Sequence, residues 1–493
     1  MRLDQKQYQD KVRACWIGKN IGGTMGGPYE HYRQILDIKG FSTPPNVVLP
    51  NDDLDLQLIW LYAMERFGFH NINANLLAEL WTSCTTPYWN EYGIGKANLR
   101  RGLRPPLSGD YENDWQHSNG AWIRTEIWAC ATPGVPEIAA KYAMEDATVD
   151  HGAGEGTFAA IFVAALQSAA FAVSDLRQCI DIGLAAIPGD CRIARSVQLV
   201  MEMYDQGKPW QDTRNAVLAQ NSDIGDGWFE APSNVAYTVL GLLYGEGDFK
   251  KSMLTAINCG DDTDCTAATV GATLGILGGM AVIPQDWMEH IGDEIATISI
   301  NMAGALRGGW LPTTCTQLTE RVVTLAPHGL FCSNKRPGVE WVILGEGNSI
   351  PEDVQERMKT NVRTWILGKA TRLKPYTMDF ESGFLQTQLT LAEAPEIAPQ
   401  GQCKVHIRFK NNYGFENMQH PLSLRWLLPE GFSASGKSNV MLYGYDKHGK
   451  GAAEVDVVIQ AGDKVEPQNR IVLEVTAPGR HTALYASFLL LGC

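Results

Sequence analysis

The chain has 11 cysteines but no Cys-x-x-Cys pair, no apolar leader at its start and no excess of basic residues. Each absence excludes something. Without paired or Cys/His spacing, a structural zinc site or a thioredoxin-type motif is not expected. An odd, dispersed set of thiols with no export signal is what a cytoplasmic protein carries. The opening segment MRLDQKQYQDKVRACWIGKN is charged throughout and lacks a signal-peptide core. No run reads as a membrane span: residues 159–173 are apolar, but they are few and rich in small side chains, which suits a buried helix. Lys and Arg number 41 against 55 Asp and Glu, a formal net charge of -14. Bulk electrostatics therefore draws the chain neither to nucleic acid nor to anionic membranes. No Ser-His-Asp or Cys-His arrangement stands out. The glycine-rich stretch near the start also lacks the Gly-Lys-Ser/Thr sequel of a phosphate loop.

What is present is length and pattern. A chain of 493 residues is long for one hydrophobic core, so more than one domain is expected. Apolar residues recur at three- and four-residue spacing in 10–26, 54–67, 139–142, 157–173, 195–204, 236–243, 249–258 and 266–277, which predicts helices. The intervening stretches 41–55, 101–120 and 221–234 are too rich in Gly, Pro, Asp and Asn to be helix interiors. Loops of that length usually carry function. Near residue 385 the pattern changes. CKVHIRF, LSLRWLLP, AEVDVVIQ, RIVLEVTA and HTALYASFLL alternate, with turns such as NNYG and APGR between them. The expected organisation is an all-α domain over 1–340, a connecting segment over 341–389 and a small all-β sandwich over 390–493.

The chemistry concentrates in carboxylates. In AINCGDDTDCTAATVGATLGILGG, Asp261, Asp262 and Asp264 interrupt an apolar segment with no Lys or Arg close by in sequence. A helix cap explains one aspartate; three so close repel one another, and a divalent cation would relieve that. Gly271 and Gly275 lie on one helical face and admit a second backbone. A second acidic helix start, VVLPNDDLDLQLIWLYAMERFG, offers Asn51, Asp52 and Asp53. Two such starts facing each other would make an oxygen-lined site suited to Mg²⁺, Mn²⁺ or Ca²⁺, with one or two ions. CWIGKNIGGTMGGPYE presents Gly18, Gly22 and Gly26 on a close-packing face and ends in Glu30. A polar, aromatic stretch, LSGDYENDWQHSNGAWIR, holds Asp110, Asp114, Trp115, Asn119, Gly120 and Arg124. Its polar groups suit sugar hydroxyls, Trp115 a ring face and Arg124 a phosphate or a carboxylate. His151 and Glu155 follow, four residues apart before a helical pattern; they join the expected substrate-binding set, in hydrogen-bonding or capping roles.

Together these segments resemble the ADP-ribosylglycohydrolase family, which includes the bacterial enzyme that reactivates dinitrogenase reductase and the animal ADP-ribosyl-acceptor hydrolases. The resemblance rests on GKNIGGTMGGPYE, NDDLDLQL and DTDCTAATVGATLG in that order, with SNGAWIR similar to the family's Asn-Gly-x-x-x-Arg loop. It covers roughly residues 10–330 and leaves the β-domain as an addition. It implies an all-α fold with a dinuclear magnesium site. Asp52, Asp53, Asp262 and Asp264 fall on metal-binding positions, and Glu30 falls beside the ribose and metals. Glu30, Asp53 and Asp262 are then the candidate catalytic carboxylates, with acid and base unassigned. Asn51, Leu54 and Cys265 stand where threonines are usual. A thiol is a poor magnesium ligand, so either Cys265 faces the metals and weakens one position or Thr266 takes over as ligand. The implied activity is hydrolysis of the ribose C1 N- or O-glycosidic bond of an ADP-ribosylated acceptor. Two other readings stay open: a glycosidase acting on a non-ADP furanoside or nucleoside, and a catalytically inactive sugar-binding or scaffold protein. The expected partner is a small-molecule sugar or an ADP-ribosylated substrate, with no nucleic acid and no membrane; a homo-oligomer is allowed.

Overall fold

A computed structural model describes all residues except 226, 304, 305, 307, 335–341, 384, 412–418 and 444–450, with the side chains of 332–334 also left aside. The NNYG turn lies largely outside the described residues. The chain divides into two compact units, one of residues 1–93 and 114–372, the other of residues 94–113 and 373–493. The first is helical and the second is built on a β-sandwich.

In the helical unit, the N-terminal helix Gln5–Gly26 and the glycine-rich helix Thr263–Gly278 pack antiparallel along a ladder of small residues. A Cβ on Gly18 would fall 2.3 Å from the carbonyl oxygen of Gly271, and one on Gly22 2.3 Å from the carbonyl carbon of Ala267. One on Gly26 would fall 2.3 Å from the Thr263 carbonyl oxygen, and one on Gly275 2.4 Å from that of Ala14. Only glycine permits backbones this close. The register brings the end of the first helix against the start of the second, and Thr263 Oγ1 donates to the Gly26 carbonyl at 2.8 Å. Among the described residues one stretch, Thr263–Val282, is long and apolar enough to cross a membrane, which corrects the expectation that none is. Its helix is buried almost throughout, so its apolarity is that of a core element.

The acidic helix Asp52–Phe67 begins at Asn51, whose side chain caps it by accepting from Asp53 N at 2.7 Å. The helices Pro136–Ala147, Glu155–Ala169, Arg192–Asp205, Ala231–Tyr244 and Phe249–Asn258 correspond to the predicted segments. A short parallel pair, β1 (Arg2–Asp4) and β2 (Ile343–Gly345), joins the start of the unit to its later part.

Among the described residues the second unit contains two five-stranded sheets. One has the order β3 (Thr377–Ser382), β4 (Leu385–Leu391), β6 (Gln402–Asn411), β10 (Ala452–Gln460), β8 (Ser433–Gly436). The other has the order β5 (Glu396–Ile397), β12 (Leu484–Gly492), β11 (Gln468–Thr476), β7 (His420–Leu427), β9 (Asn439–Leu442). Alternate residues such as Val405, Ile407, Phe409, Ile471, Leu473 and Val475 fill the space between the sheets. The sandwich starts earlier than the expected residue 390, because β3 and most of β4 lie in the stretch read as a connection. In β4 the buried side chains alternate as Leu385, Thr387, Leu389 and Leu391, with a threonine interrupting the apolar pattern. The unit also takes in residues 94–113: Leu103, Leu107 and Tyr111 belong to its core. Gln468 Nε2 donates to the Arg101 carbonyl at 2.8 Å.

Candidate metal centre

The close packing of the two glycine-bearing helices sets the site. The first helix ends at Gly26, a tight turn Gly27–Tyr29 follows, and Glu30 emerges next to the start of the second. Asp262 is the residue before that second helix and Asp264 is in its first turn. Asp52, Asp53 and Asp55 occupy the first turn of the acidic helix. Both helix starts supply free N–H groups and a positive dipole end, which stabilise negative charge.

Among the described residues two groups of ligand atoms result, each within 4.8 Å of one another: Glu30, Asp262 and Asp264 in one, Asp53, Asp264 and Cys265 in the other. Asp264 belongs to both. Its Oδ2 accepts from Asn51 Nδ2 at 3.1 Å and its Oδ1 from Cys265 N at 2.7 Å. Asn51 reaches it across Gly23, where a Cβ would fall 2.5 Å from Asn51 Nδ2. Asp262 Oδ2 accepts from Asn119 Nδ2 at 2.6 Å, and Asn119 is held in turn by Trp122 Nε1 at 2.9 Å. Half-buried Asp52 accepts from the Tyr92 hydroxyl at 3.0 Å. Cys265 Sγ lies 3.5 Å from Asp53 Oδ1, whereas the Thr266 hydroxyl donates to the Thr263 carbonyl at 3.2 Å. The thiol therefore faces the carboxylates and the threonine turns back into its own helix.

Without a cation this arrangement is electrostatically costly. Burial and the neighbouring Asp264 push the Glu30 carboxyl up to about 10. Asp262 and Asp53 are raised well above the usual carboxylate range, mainly by burial; Asp264 adds to it at both, and at Asp53 the Lys19 ammonium opposes it. Each of these shifts works against the ionised form, and a bound divalent cation would oppose it. The donor set, oxygen-rich and buried with one thiol, fits divalent cations.

Sequence reasoning missed several residues around this core. Lys19 is fully buried, 3.4 Å from Asp53 and 3.2 Å from Glu126. Burial would lower its pKa, but Glu126 and Asp53 outweigh that and keep it charged. Gln57 binds the Asp53 carbonyl at 2.8 Å and Glu126 at 3.0 Å. The available signal was one lysine inside a small-residue helix face. Asp261, which has positive φ, stands apart from its neighbours, 3.5 Å from Arg33 and 3.6 Å from Arg214.

Several residues expected to bind substrate are used elsewhere. Arg124 is fully buried: it bonds Asp146 at 3.0 Å, Asp150 at 2.8 and 3.0 Å and the Gly120 carbonyl at 2.6 Å, so it is not a free phosphate arm. His151 is buried between Asp150 and Ser118, at 3.0 Å from each. Glu155 caps the helix Arg192–Asp205, accepting from Arg192 N and Ile193 N at 2.9 and 3.1 Å. Asp110 belongs to the β-sandwich unit, where it accepts from Tyr376 N at 2.8 Å. Asp114 is exposed, and Trp115 packs on Phe229 with ring centres 5.1 Å apart. Asn119 does reach the carboxylates. A separate cavity of about 410 Å³ includes Tyr204, Leu242 and Leu274 in its lining but none of the carboxylates of the two groups.

The ADP-ribosylglycohydrolase family profile matches residues 4–323, a span that contains every carboxylate of both groups. A solved structure described as an ADP-ribosylglycohydrolase-related protein complex is similar over 66% of this chain and 99% of its own, at 16% identity and a TM-score of 0.45. A FixG-related protein from Vibrio parahaemolyticus matches 22% of this chain and 98% of its own at 8% identity and a TM-score of 0.18. The GAE domain of GGA2p from Saccharomyces cerevisiae matches 23% and 96% at 13% identity and a TM-score of 0.17. No curated protein matches the chain by sequence. Because the profile covers well over half of the residues, the chain belongs to the ADP-ribosylglycohydrolase family.

Proposed function

We propose that the chain is a metal-dependent hydrolase that cleaves the glycosidic bond at ribose C1 of an ADP-ribosylated acceptor. The observation that carries this reading is Asp264, one carboxylate shared by two groups of buried ligand atoms. When bound, divalent cations there would supply the charge that orients ribose hydroxyls and activates water. Glu30 and Asp262 with Asp264 would hold one ion, and Asp53 with Asp264 and Cys265 the other.

The chain's own residues divide the remaining work. Asp53 is fixed from one side by Lys19 and from the other by Cys265, and Asp262 by Asn119. Glu30 is less constrained: it ends a short turn, is only half-buried and shares a hydrogen bond with Asp264. That makes it the best placed of the three candidate carboxylates to move a proton at the reacting centre. Asn51 and Tyr92 orient Asp264 and Asp52. A cytoplasmic setting is the expectation that goes with this reading, from the odd, dispersed cysteines of the sequence.

Hydrolysis of a non-ADP furanoside or nucleoside is the second reading. What favours it is Arg124, whose guanidinium is consumed by Asp146 and Asp150 and cannot meet a pyrophosphate. Free ADP-ribose released from an ADP-ribosylated peptide, measured beside aryl ribofuranoside hydrolysis, separates the two. The expected result is release that stops with chelator and in Asp264→Asn. Turnover of the furanoside alone would favour the second reading. Chelator-resistant turnover in Asp264→Asn would exclude the shared carboxylate from catalysis.

A further inference from the structure

The two groups of ligand atoms differ in chemistry. One is Glu30, Asp262 and Asp264, all oxygen; the other replaces an oxygen with the Cys265 sulfur. Sulfur is soft and magnesium is hard, so the second set is a poor magnesium site and a good one for a thiophilic ion. Rotation does not rescue it, because the Thr266 hydroxyl is engaged with the Thr263 carbonyl at 3.2 Å and Cys265 Sγ points to Asp53 Oδ1 at 3.5 Å. Lys19 bears on the same position. Its ammonium holds Asp53 Oδ2 at 3.4 Å, leaving Oδ1 for an ion. A fixed positive charge there disfavours a cation bound by charge alone, while the covalent character of a metal–thiolate bond offsets that repulsion.

We propose that this protein has two unlike metal positions. The Glu30/Asp262/Asp264 position takes a hard ion such as Mg²⁺ or Mn²⁺. The Asp53/Asp264/Cys265 position takes a thiophilic divalent ion of the zinc or cobalt kind. Cys265 Sγ binds that ion as thiolate, and the thiol proton leaves to solvent. The inference rests on the reading of these carboxylates as metal ligands.

The test is spectroscopic and needs no substrate. Metal-stripped full-length protein is titrated with Co²⁺, and the near-ultraviolet sulfur-to-cobalt charge-transfer band is recorded; Mg²⁺ binding is followed by calorimetry. The expected result is a saturable band that Cys265→Ser abolishes, with Co²⁺ affinity reduced at least about tenfold. Asp262→Asn should keep the band and lose the hard-ion position. Cys265→Thr should gain a second Mg²⁺ equivalent where the natural chain binds one. Circular dichroism confirms that each variant is folded, and the wild-type band decides the matter if one is not. Two equivalent Mg²⁺ sites and no charge-transfer band in the wild type would overturn the proposal while leaving the metal centre intact. Failure of the wild type to bind any of these ions would overturn both.

Discussion

At the scale of the residue, the buried charges fall into two kinds, and pH separates them. In the first kind a partner outweighs burial: Arg124 and His151 hold the Asp150 carboxyl down to about 2, whereas at Asp146, bound to the same guanidinium, burial outweighs Arg124 and raises the carboxyl. Arg124→Ala leaves two buried carboxylates facing each other and should cost about 3–5 kcal/mol in chemical denaturation. Arg124→Lys should recover only part, because an ammonium cannot reproduce the bidentate fork. In the other kind burial outweighs the partners. Burial raises Asp55 to about 7 although Ile298 N and Ser299 N donate to it, and burial raises Asp261 to about 6 against Arg33 and Arg214. A raised carboxyl binds a proton in the folded state that the unfolded chain has already lost. Stability therefore falls as pH rises from about 4 through the folded pKa. Asp150 contributes with the opposite sign, but only below about pH 4. In chelator, the melting temperature should be lower at pH 8 than at pH 5, and Asp55→Asn should shrink the difference. An unchanged difference would remove Asp55 from the effect. The carboxylates themselves were legible in the sequence because they interrupt apolar runs. Lys19, Glu126 and Arg124's partners were not, since a buried charge is matched by residues far along the chain and spacing carries no trace of the match.

At the scale of the element, the glycine spacing of two helices was readable, and their pairing follows from it. Four-residue steps on both helices make opposed flat faces, and antiparallel register then brings Gly26 to Thr263 and Glu30 to Asp262 and Asp264. Packing and chemistry are thus one feature. Gly22→Ala places a Cβ 2.3 Å from backbone atoms of Ala267 and Ala268, which no side-chain rotation relieves. The expected cost is about 1–3 kcal/mol or more. Because the shift falls near the start of the glycine-rich helix, metal affinity should drop with it. Gly189→Ala, where a Cβ meets nothing within 4 Å, is the control and should leave both unchanged. Equal behaviour of the two variants in thermal melts and metal titration would refute the coupling of helix spacing to site geometry. Glu155 shows the limit of pattern reading at this scale. Its position before a helix was visible, but its job of capping a different helix, Arg192–Asp205, depends on the tertiary fold.

At the scale of the whole molecule, alternation after residue 400 announced the sandwich, but its true membership did not show. The segment 94–113 falls inside the expected all-α stretch, its part from 101 on reading as loop with Gly102 and a Pro-Pro step, and nothing local marks Leu103, Leu107 and Tyr111 as parts of a β core. They are buried there all the same, with Arg104 over the Phe380 ring at 4.3 Å and the Tyr111 hydroxyl bonded to Glu396. A Cβ on Gly102 would meet Leu489 Cδ1 at 2.4 Å. The second unit is therefore discontinuous in sequence, and cutting the chain near residue 385 does not excise it. Leu103 is 1% exposed, so Leu103→Ala removes a core side chain and should cost about 2–5 kcal/mol. That loss should fall on the unit formed by 94–113 and 373–493. Hydrogen exchange is the discriminating measurement: protection should fall in β4, β6, β11 and β12 and persist in Gln5–Gly26 and Thr263–Gly278. Loss confined to the helices would mean that Leu103 stabilises the other unit. A chain ending at residue 372 exposes Leu103, Leu107 and Tyr111 together and should aggregate. Replacing 94–113 by a short polar linker in that truncated chain should restore solubility, because the apolar side chains that lost their core are gone with it.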